Sequence, residues 1–302
     1  MKLLHFIADG NTKLGVATAN GVLDVEAAAA KFEAGAAAPK DAQEAIAGGE
    51  ETLGLLNRLV EQAAASVGAE DGVWMRENEL TWAPSVTRPN KIICIGLNYR
   101  RHAEETNSPI PASPIVFHKF NNALAGHGDD VFLPRTSVKV DYEAELAIVI
   151  GRKAKYVAKE DALDYVFGYS SANDLSARDL QMRTSQWALG KCCDGFAPLG
   201  PYLVTADEVG NPNDLRIRCL VNGEVRQDSN TSDMIFACDE IVSYVSQHMT
   251  LEPGDVILTG TPEGVVMGYP PERQIYLKDG DTVTIEIEKL GSLTNTMKNE
   301  IA

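Results

Sequence analysis

Two glutamates spaced by two stand in the run Val140-Asp141-Tyr142-Glu143-Ala144-Glu145-Leu146-Ala147-Ile148-Val149-Ile150-Gly151, which otherwise reads as a core strand. Side chains alternate along a strand at roughly 3.3 Å per residue, so Glu143 and Glu145 share one face with Cα atoms about 6.6 Å apart. Two like charges buried there without compensation cost several kcal/mol. The segment therefore asks either for a cation within reach of both carboxylates or for a strand face left to water.

A chain of 302 residues with 44% hydrophobic content can bury a large core, as one domain or two. Its formal net charge of -16 argues against a nucleic-acid partner or an anionic membrane surface, since either wants a basic patch. An anionic substrate would then depend on local Arg, Lys or metal. The apolar start Met1 to Ile7 is too short for a signal-peptide core, and no run approaches the roughly 20 apolar residues of a membrane span. Five cysteines, Cys94, Cys192, Cys193, Cys219 and Cys238, lack paired zinc spacing and read as reduced thiols in a cytoplasmic protein. Vicinal Cys192-Cys193 has no second pair nearby to complete a redox or soft-metal site.

Residues 1–85 differ in texture from the rest. A hairpin is expected from Lys2 to Ile7 and Leu14 to Thr18 around Asp9-Gly10-Asn11, followed by helices over Val25 to Glu33, Pro39 to Ala47 and Glu51 to Ser66, with Gly48-Gly49 between the last two. Two prolines within Trp82 to Pro89 mark a linker. From Lys91 onward short β-branched runs dominate: Ile92 to Ile95, Ile115 to Phe117, Leu146 to Ile150, Leu215 to Val221, Val256 to Leu258 and Thr282 to Glu288. Asn222-Gly223 predicts a tight hairpin, and helical patterns are confined to Ser176 to Trp187 and Ile235 to Gln247. Many strands with few helices argue for a closed or sandwiched β architecture.

Two further segments carry chemistry. In Asn173-Asp174-Leu175-Ser176-Ala177-Arg178-Asp179-Leu180-Gln181, Asp174 suits a helix N-cap, and Arg178 and Gln181 follow on its helical face. Alone this is equally a capping Asp with an i,i+4 ion pair. Beside Glu143 and Glu145 it supplies a third carboxylate, and an all-oxygen set points to Mg²⁺, Mn²⁺ or Ca²⁺ rather than Zn²⁺. In Gly96-Leu97-Asn98-Tyr99-Arg100-Arg101-His102-Ala103-Glu104-Glu105, one helical turn lets Glu105 hold one nitrogen of His102 and leave the other as a base. A solvated surface His beside acids fits the same spacing. The Pro-rich stretch Ser108 to Pro114 after it suits a mobile lid.

These blocks, with Lys191 before Asp194-Gly195-Phe196-Ala197-Pro198-Leu199-Gly200-Pro201 and with Leu258-Thr259-Gly260-Thr261-Pro262-Glu263-Gly264-Val265, resemble the fumarylacetoacetate hydrolase superfamily over roughly residues 88–290. The resemblance implies an α+β, β-rich fold. It takes the form of a mixed β-sandwich roll over residues 86–302, preceded by a small N-terminal α/β domain over residues 1–85. It implies a homodimer, a Mg²⁺ or Mn²⁺ site at Glu143, Glu145 and Asp174 (Ca²⁺ as a substitute), and a His102–Glu105 dyad that activates water. Lys191 would stabilise an oxyanion or protonate a leaving carbanion, while Tyr99, Arg178, Gln181, Lys191 and Thr261 would contact the substrate. Hydrolysis of a carbon–carbon bond in an acylpyruvate-like or diketo acid is the expected reaction. Decarboxylation, hydration or 2-hydroxymuconate-type isomerisation of a 2-oxo acid is the alternative on the same metal, and a catalytically silent metal- or sugar-acid-binding protein is a third. Cys192-Cys193 after Lys191 departs from the pattern expected of many relatives.

Overall fold

The computed structural model describes residues 1–66 and 72–300. Glu145 lies on the central strand Ala144–Ile150, which is buried along its whole length. A water-facing strand edge is thereby excluded for it. Even-numbered Leu146, Ile148 and Ile150 join one hydrophobic core and odd-numbered Ala147 and Val149 join another, as alternation in a strand covered on both faces requires.

That strand sits in a twelve-stranded sheet. On one side it pairs antiparallel with Val166–Asn173, then Ala197–Thr205, then Lys2–Ala8 and its hairpin partner Asn11–Thr18. On the other it meets Val256–Leu258, which runs parallel to Ile92–Gly96, and the sheet ends on Ile115–Lys119. A second sheet of five strands has the order Glu224–Asn230, Arg216–Val221, Thr282–Ile287, Gly291–Asn299, Asp130–Leu133. Its inward residues Val283, Ile285 and Ile287 alternate with half-exposed Thr282, Thr284 and Glu286, the signature of a sheet with one face on the core. The first core fills the space between the two sheets. The second lies between the large sheet and the N-terminal helices. The sheets are layered and open, not closed into a barrel.

The N-terminal segment follows its sequence pattern closely. The hairpin turns at Asp9-Gly10, and the helix Val25–Lys31 is capped by Asp24, whose Oδ1 accepts the Ala27 N–H at 3.0 Å. Gly48-Gly49 separates two helices as expected: within Ala42–Ser66 the helical path breaks at Gly49, whose φ of 54° and ψ of -137° are non-helical and suit glycine alone. The expected linker contains a short strand, Trp82–Ala83, paired to His5 and Phe6. Trp82 is buried there, and burial of an indole outweighs the tendency of the flanking prolines to break structure. No described helix is long and apolar enough to cross a membrane.

The segment after Asn173 departs most from expectation. Ser176–Ala177 forms a two-residue strand against Val140–Asp141, and only Arg178–Gln181 and Ala188–Lys191 are helical. Asp174 therefore caps no helix. Pairing with Val140–Asp141 takes the backbone that a helix starting at Ser176 would have used.

Candidate metal-centred active site

Three carboxylates converge where the strand Ala144–Ile150 begins. Glu143, Glu145 and Asp174 each place an oxygen within 4.8 Å of the others, and all three side chains are buried. Glu143 precedes the strand rather than lying in it, but keeps the parity that puts it beside Glu145. The Asp174 N–H donates to the Glu143 carbonyl at 2.9 Å, which locks the two chain segments together.

The cluster is largely, but not fully, neutralised. Lys191 Nζ donates to Glu143 Oε2 at 2.7 Å and to Asp174 Oδ2 at 2.8 Å, while Lys119 Nζ bonds the other Asp174 oxygen and the Leu175 carbonyl. Arg178 Nε donates to Asp141 Oδ2 at 2.9 Å and Nη1 to Gln181 Oε1 at 3.0 Å. Its Nη2 lies 2.7 Å from Glu143 Oε1 but is poorly aligned for a hydrogen bond, so proximity there is chiefly charge pairing. Asp141, Glu143 and Asp174 thus each have a basic partner. Among the described residues Glu145 makes no ion pair: its Oε2 accepts the Gly260 N–H, at 2.7 Å.

The ionisation of these groups follows from the same partition. Burial would raise Glu143, but Lys191 and Arg178 outweigh it and hold the carboxyl down at about 2. Burial pushes Glu145 well up, and Asp174 and Glu143 add to the shift. Burial works to lower Lys191, yet Asp174 and Glu143 prevail and keep it a firmly held ammonium. A divalent ion fits this donor set, because hard carboxylate oxygens converge on one point and a cation there would favour the ionised form of Glu145, which burial and its acidic neighbours otherwise oppose. The same oxygens suit Mg²⁺, Mn²⁺ or Ca²⁺.

Beside the triad is a cavity of about 180 Å³ lined by Glu143, Glu145, His102, Arg178, Gln181, Lys191 and Thr261, with Phe117, Met182, Trp187 and Met267 as apolar wall. A wider groove of about 850 Å³ lies against Met1, Lys2, Asn57 and Asp207, away from the triad. Convergent charge, rather than size, marks the smaller one as the site. His102 enters from the short helix Arg100–Glu105. Its Nδ1 meets Glu105 Oε1 at 2.7 Å, and among the described residues nothing bonds Nε2. Glu105 is itself anchored, its Oε2 accepting the Gly264 N–H at 2.9 Å. Gly268 touches the same carboxyl so closely that a Cβ there would fall 2.4 Å from Glu105 Cδ. The helix is docked, not loose: Arg100 Nη1 donates to the Met234 carbonyl at 2.6 Å, and the Arg101 N–H to Asp233 Oδ2 at 3.2 Å.

Most residues singled out in the sequence meet at this cavity. Tyr99 does not: it is fully buried in the main core, and the cavity is lined without it. Three contributors carried no separate signal. Asp141, read only as strand, accepts the Val266 and Met267 N–H groups at 2.8 and 3.1 Å besides Arg178. Lys119 sits in an ordinary strand sequence, and only its pairing with Asp174 gives it a role. Gly260 has φ +96°, and a Cβ there would lie 2.7 Å from Asn98 Cβ, so glycine is what lets its N–H reach Glu145.

Two layered sheets thus bring together a buried carboxylate triad that could hold a metal ion, a His–Glu pair and two buried lysines, the parts of a catalytic site. The fumarylacetoacetate hydrolase C-terminal family model matches residues 91–298, and the chain belongs to that family. Over 302 residues it is 44% identical to the Bos taurus protein named oxaloacetate tautomerase FAHD2A, mitochondrial, covering 98% of this chain and 91% of that one. Among solved structures, a fumarylacetoacetate hydrolase from Exiguobacterium antarcticum superposes with a TM-score of 0.83 at 34% identity, covering 99% of this chain and all of that one. Maleylpyruvate hydrolase from Sphingobium sp. SYK-6, in complex with manganese(II) and pyruvate, superposes at 0.78 with 29% identity over the full length of both chains. The protein is an enzyme of this superfamily, whose members include hydrolases, isomerases and tautomerases.

Proposed function

We propose that the enzyme interconverts the enol and keto forms of a short 2-oxo diacid, with oxaloacetate as the candidate substrate, at a divalent-cation site formed by Glu143, Glu145 and Asp174. The observation that carries this reading is the convergence of Lys191 and Arg178 with the carboxylate triad on one cavity of about 180 Å³, a setting that suits a small dianion held against a cation. Near-full-length similarity to a protein named oxaloacetate tautomerase supports it. It revises the expectation of carbon–carbon hydrolysis drawn from the sequence.

Enolisation needs a base for the C3 proton and charge stabilisation at the C2 oxygen. His102 Nε2 is the unused nitrogen in the lining, and Glu105 at 2.7 Å holds the ring and supports its charge as the proton arrives. The C3–H electron pair forms the C2=C3 bond as the C2=O π pair moves onto the oxygen, and the proton held by His102 is delivered to that oxygen to complete the enol. Lys191, held charged by Asp174 and Glu143, donates hydrogen bonds into the cavity and stabilises negative charge on a bound oxygen. A bound divalent cation supplies Lewis acidity that lowers the cost of negative charge on the enolate. Base assistance of this kind is worth about 10²–10⁴-fold.

The His102–Glu105 geometry equally suits activation of water, so hydrolysis of an acylpyruvate is the second reading. Products separate the two. Oxaloacetate dissolved in its enol form is followed by the decay of enol absorbance with Mg²⁺ or Mn²⁺, beside a panel of acylpyruvates assayed for cleavage. Expected is faster enol decay, lost with chelator and in Glu143→Gln, without cleavage products. Acylpyruvate cleavage with no effect on oxaloacetate would replace this reading by the hydrolase. A homodimer belongs to the same proposal, supported by exposed Val116 on the terminal strand of the large sheet and Phe120 just beyond its end, and size-exclusion with light scattering tests it.

A further inference from the structure

We propose that Gln227, carried by the second sheet, is a positioning residue that fixes the Thr261 hydroxyl as a hydrogen-bond donor to an anionic oxygen of the bound ligand. Gln227 is 1% exposed and lies on the strand Glu224–Asn230. Its Oε1 accepts the Ala144 N–H at 2.9 Å, and its Nε2 donates to the Pro262 carbonyl at 2.8 Å and to Thr261 Oγ1 at 2.9 Å. Turning the amide over would set its NH₂ against the Ala144 N–H and its oxygen against the Pro262 carbonyl. Neither backbone group can change polarity, so the two together dictate the amide orientation.

Thr261 must then accept from Gln227. A hydroxyl has one proton, and that proton is left to point elsewhere. Among the described residues no acceptor takes it. Thr261 is 4% exposed and lines the cavity with Glu145 and Lys191, so the free donor belongs to the ligand space. Leaving a buried donor unmet is costly, whereas a carboxylate or enolate oxygen satisfies it. The two chain segments are also pressed together: a Cβ on Gly264 would fall 2.2 Å from the Arg226 carbonyl, which leaves the Gln227 side little freedom to drift. The ligand half of this assignment rests on the reading of the cavity as a 2-oxo acid site, and it holds for tautomerase and hydrolase alike.

The test titrates oxalate, a small dianion, by calorimetry into the full-length protein saturated with Mn²⁺, for the wild type, Thr261→Val, Thr261→Ser, Gln227→Glu and the Gln227→Glu/Thr261→Val pair. A glutamate at this position still serves the Ala144 N–H but draws the Thr261 proton to itself and away from the cavity. Expected is a roughly 10- to 100-fold weaker oxalate affinity in Thr261→Val and in Gln227→Glu, near-wild-type affinity in Thr261→Ser, and no further loss in the double variant. Mn²⁺ affinity measured without oxalate stays unchanged throughout. Undiminished oxalate binding in Gln227→Glu, or losses that add in the double variant, overturn the assignment. Should Gln227→Glu not fold, Gln227→Met replaces it: Thr261→Val must then cost less in the Gln227→Met background than in the wild type, and an equal cost overturns the assignment. Oxaloacetate turnover by the wild type decides the function separately from this coupling.

Discussion

At the scale of single residues, the site is set by which carboxylate is left without a base. Glu145 is that residue, and the cost of burying it shows in the pH dependence of the metal-free protein. Between the ordinary glutamate value of 4.5 and its raised folded value, the folded chain keeps a proton that the unfolded chain has released, so stability falls as pH rises through this window. Glu143 has the opposite sign: its stabilisation is present above 4.5 and is lost as pH falls toward about 2. Glu145→Gln with chelator should therefore lose less melting temperature than the wild type from about pH 5 to about pH 8, and the rise that Mn²⁺ gives the wild type should vanish. Asp141→Asn makes a second prediction. It removes one of the two acidic partners of buried Arg178, Glu143 being the other, and weakens the anchoring of Val266 and Met267; breaking a buried pair costs about 3–5 kcal/mol, and the remaining Glu143 contact keeps the loss toward the lower end, read by denaturant unfolding. The triad was legible because acids in an apolar strand and after an apolar run are conspicuous. Lys119 was not, since one lysine at a strand end looks like any other until Asp174 is placed against it.

At the scale of elements, the His102–Glu105 dyad depends on the same loop that lines the cavity through Thr261 and Met267. Glu105 is held from one side by the Gly264 N–H and from the other by the bare Cα of Gly268. Gly268→Ala should push the Glu105 carboxyl off His102, because the far end of that side chain is what yields. Turnover should fall toward that of Glu105→Ala, within about 10²–10⁴-fold, while the melting temperature and Mn²⁺ affinity hold. The dyad spacing was readable from one helical turn. The clamp was not, since residues 105 and 268 are far apart in sequence. The expected helix from Ser176 failed for a related reason: its backbone is used by Val140–Asp141, a partner that local periodicity does not reveal.

At the scale of the whole molecule, the first residues are part of the sheet that carries the site. Lys2–Ala8 pairs with Ala197–Thr205, and Leu3, Leu4 and Phe6 are fully buried. A chain trimmed to residues 86–302 would bare that strand edge and the apolar face under the N-terminal helices. It should accumulate as aggregate, or show a broad, non-cooperative melt, and a sharp wild-type-like transition with retained Mn²⁺ binding would contradict this. By itself the sequence determined the strand-rich class, the hairpins, most element positions and the acidic triad, because these rest on alternation, turn chemistry and the conspicuous cost of charge in apolar surroundings. Only the tertiary structure decided that Glu145 is the acid without a base, that Lys191 is held as an ammonium, that Tyr99 belongs to the core, and that Asp141 and Gln227 brace the site. Those facts depend on contacts between residues distant in the chain, and one-dimensional spacing holds no record of which charge meets which.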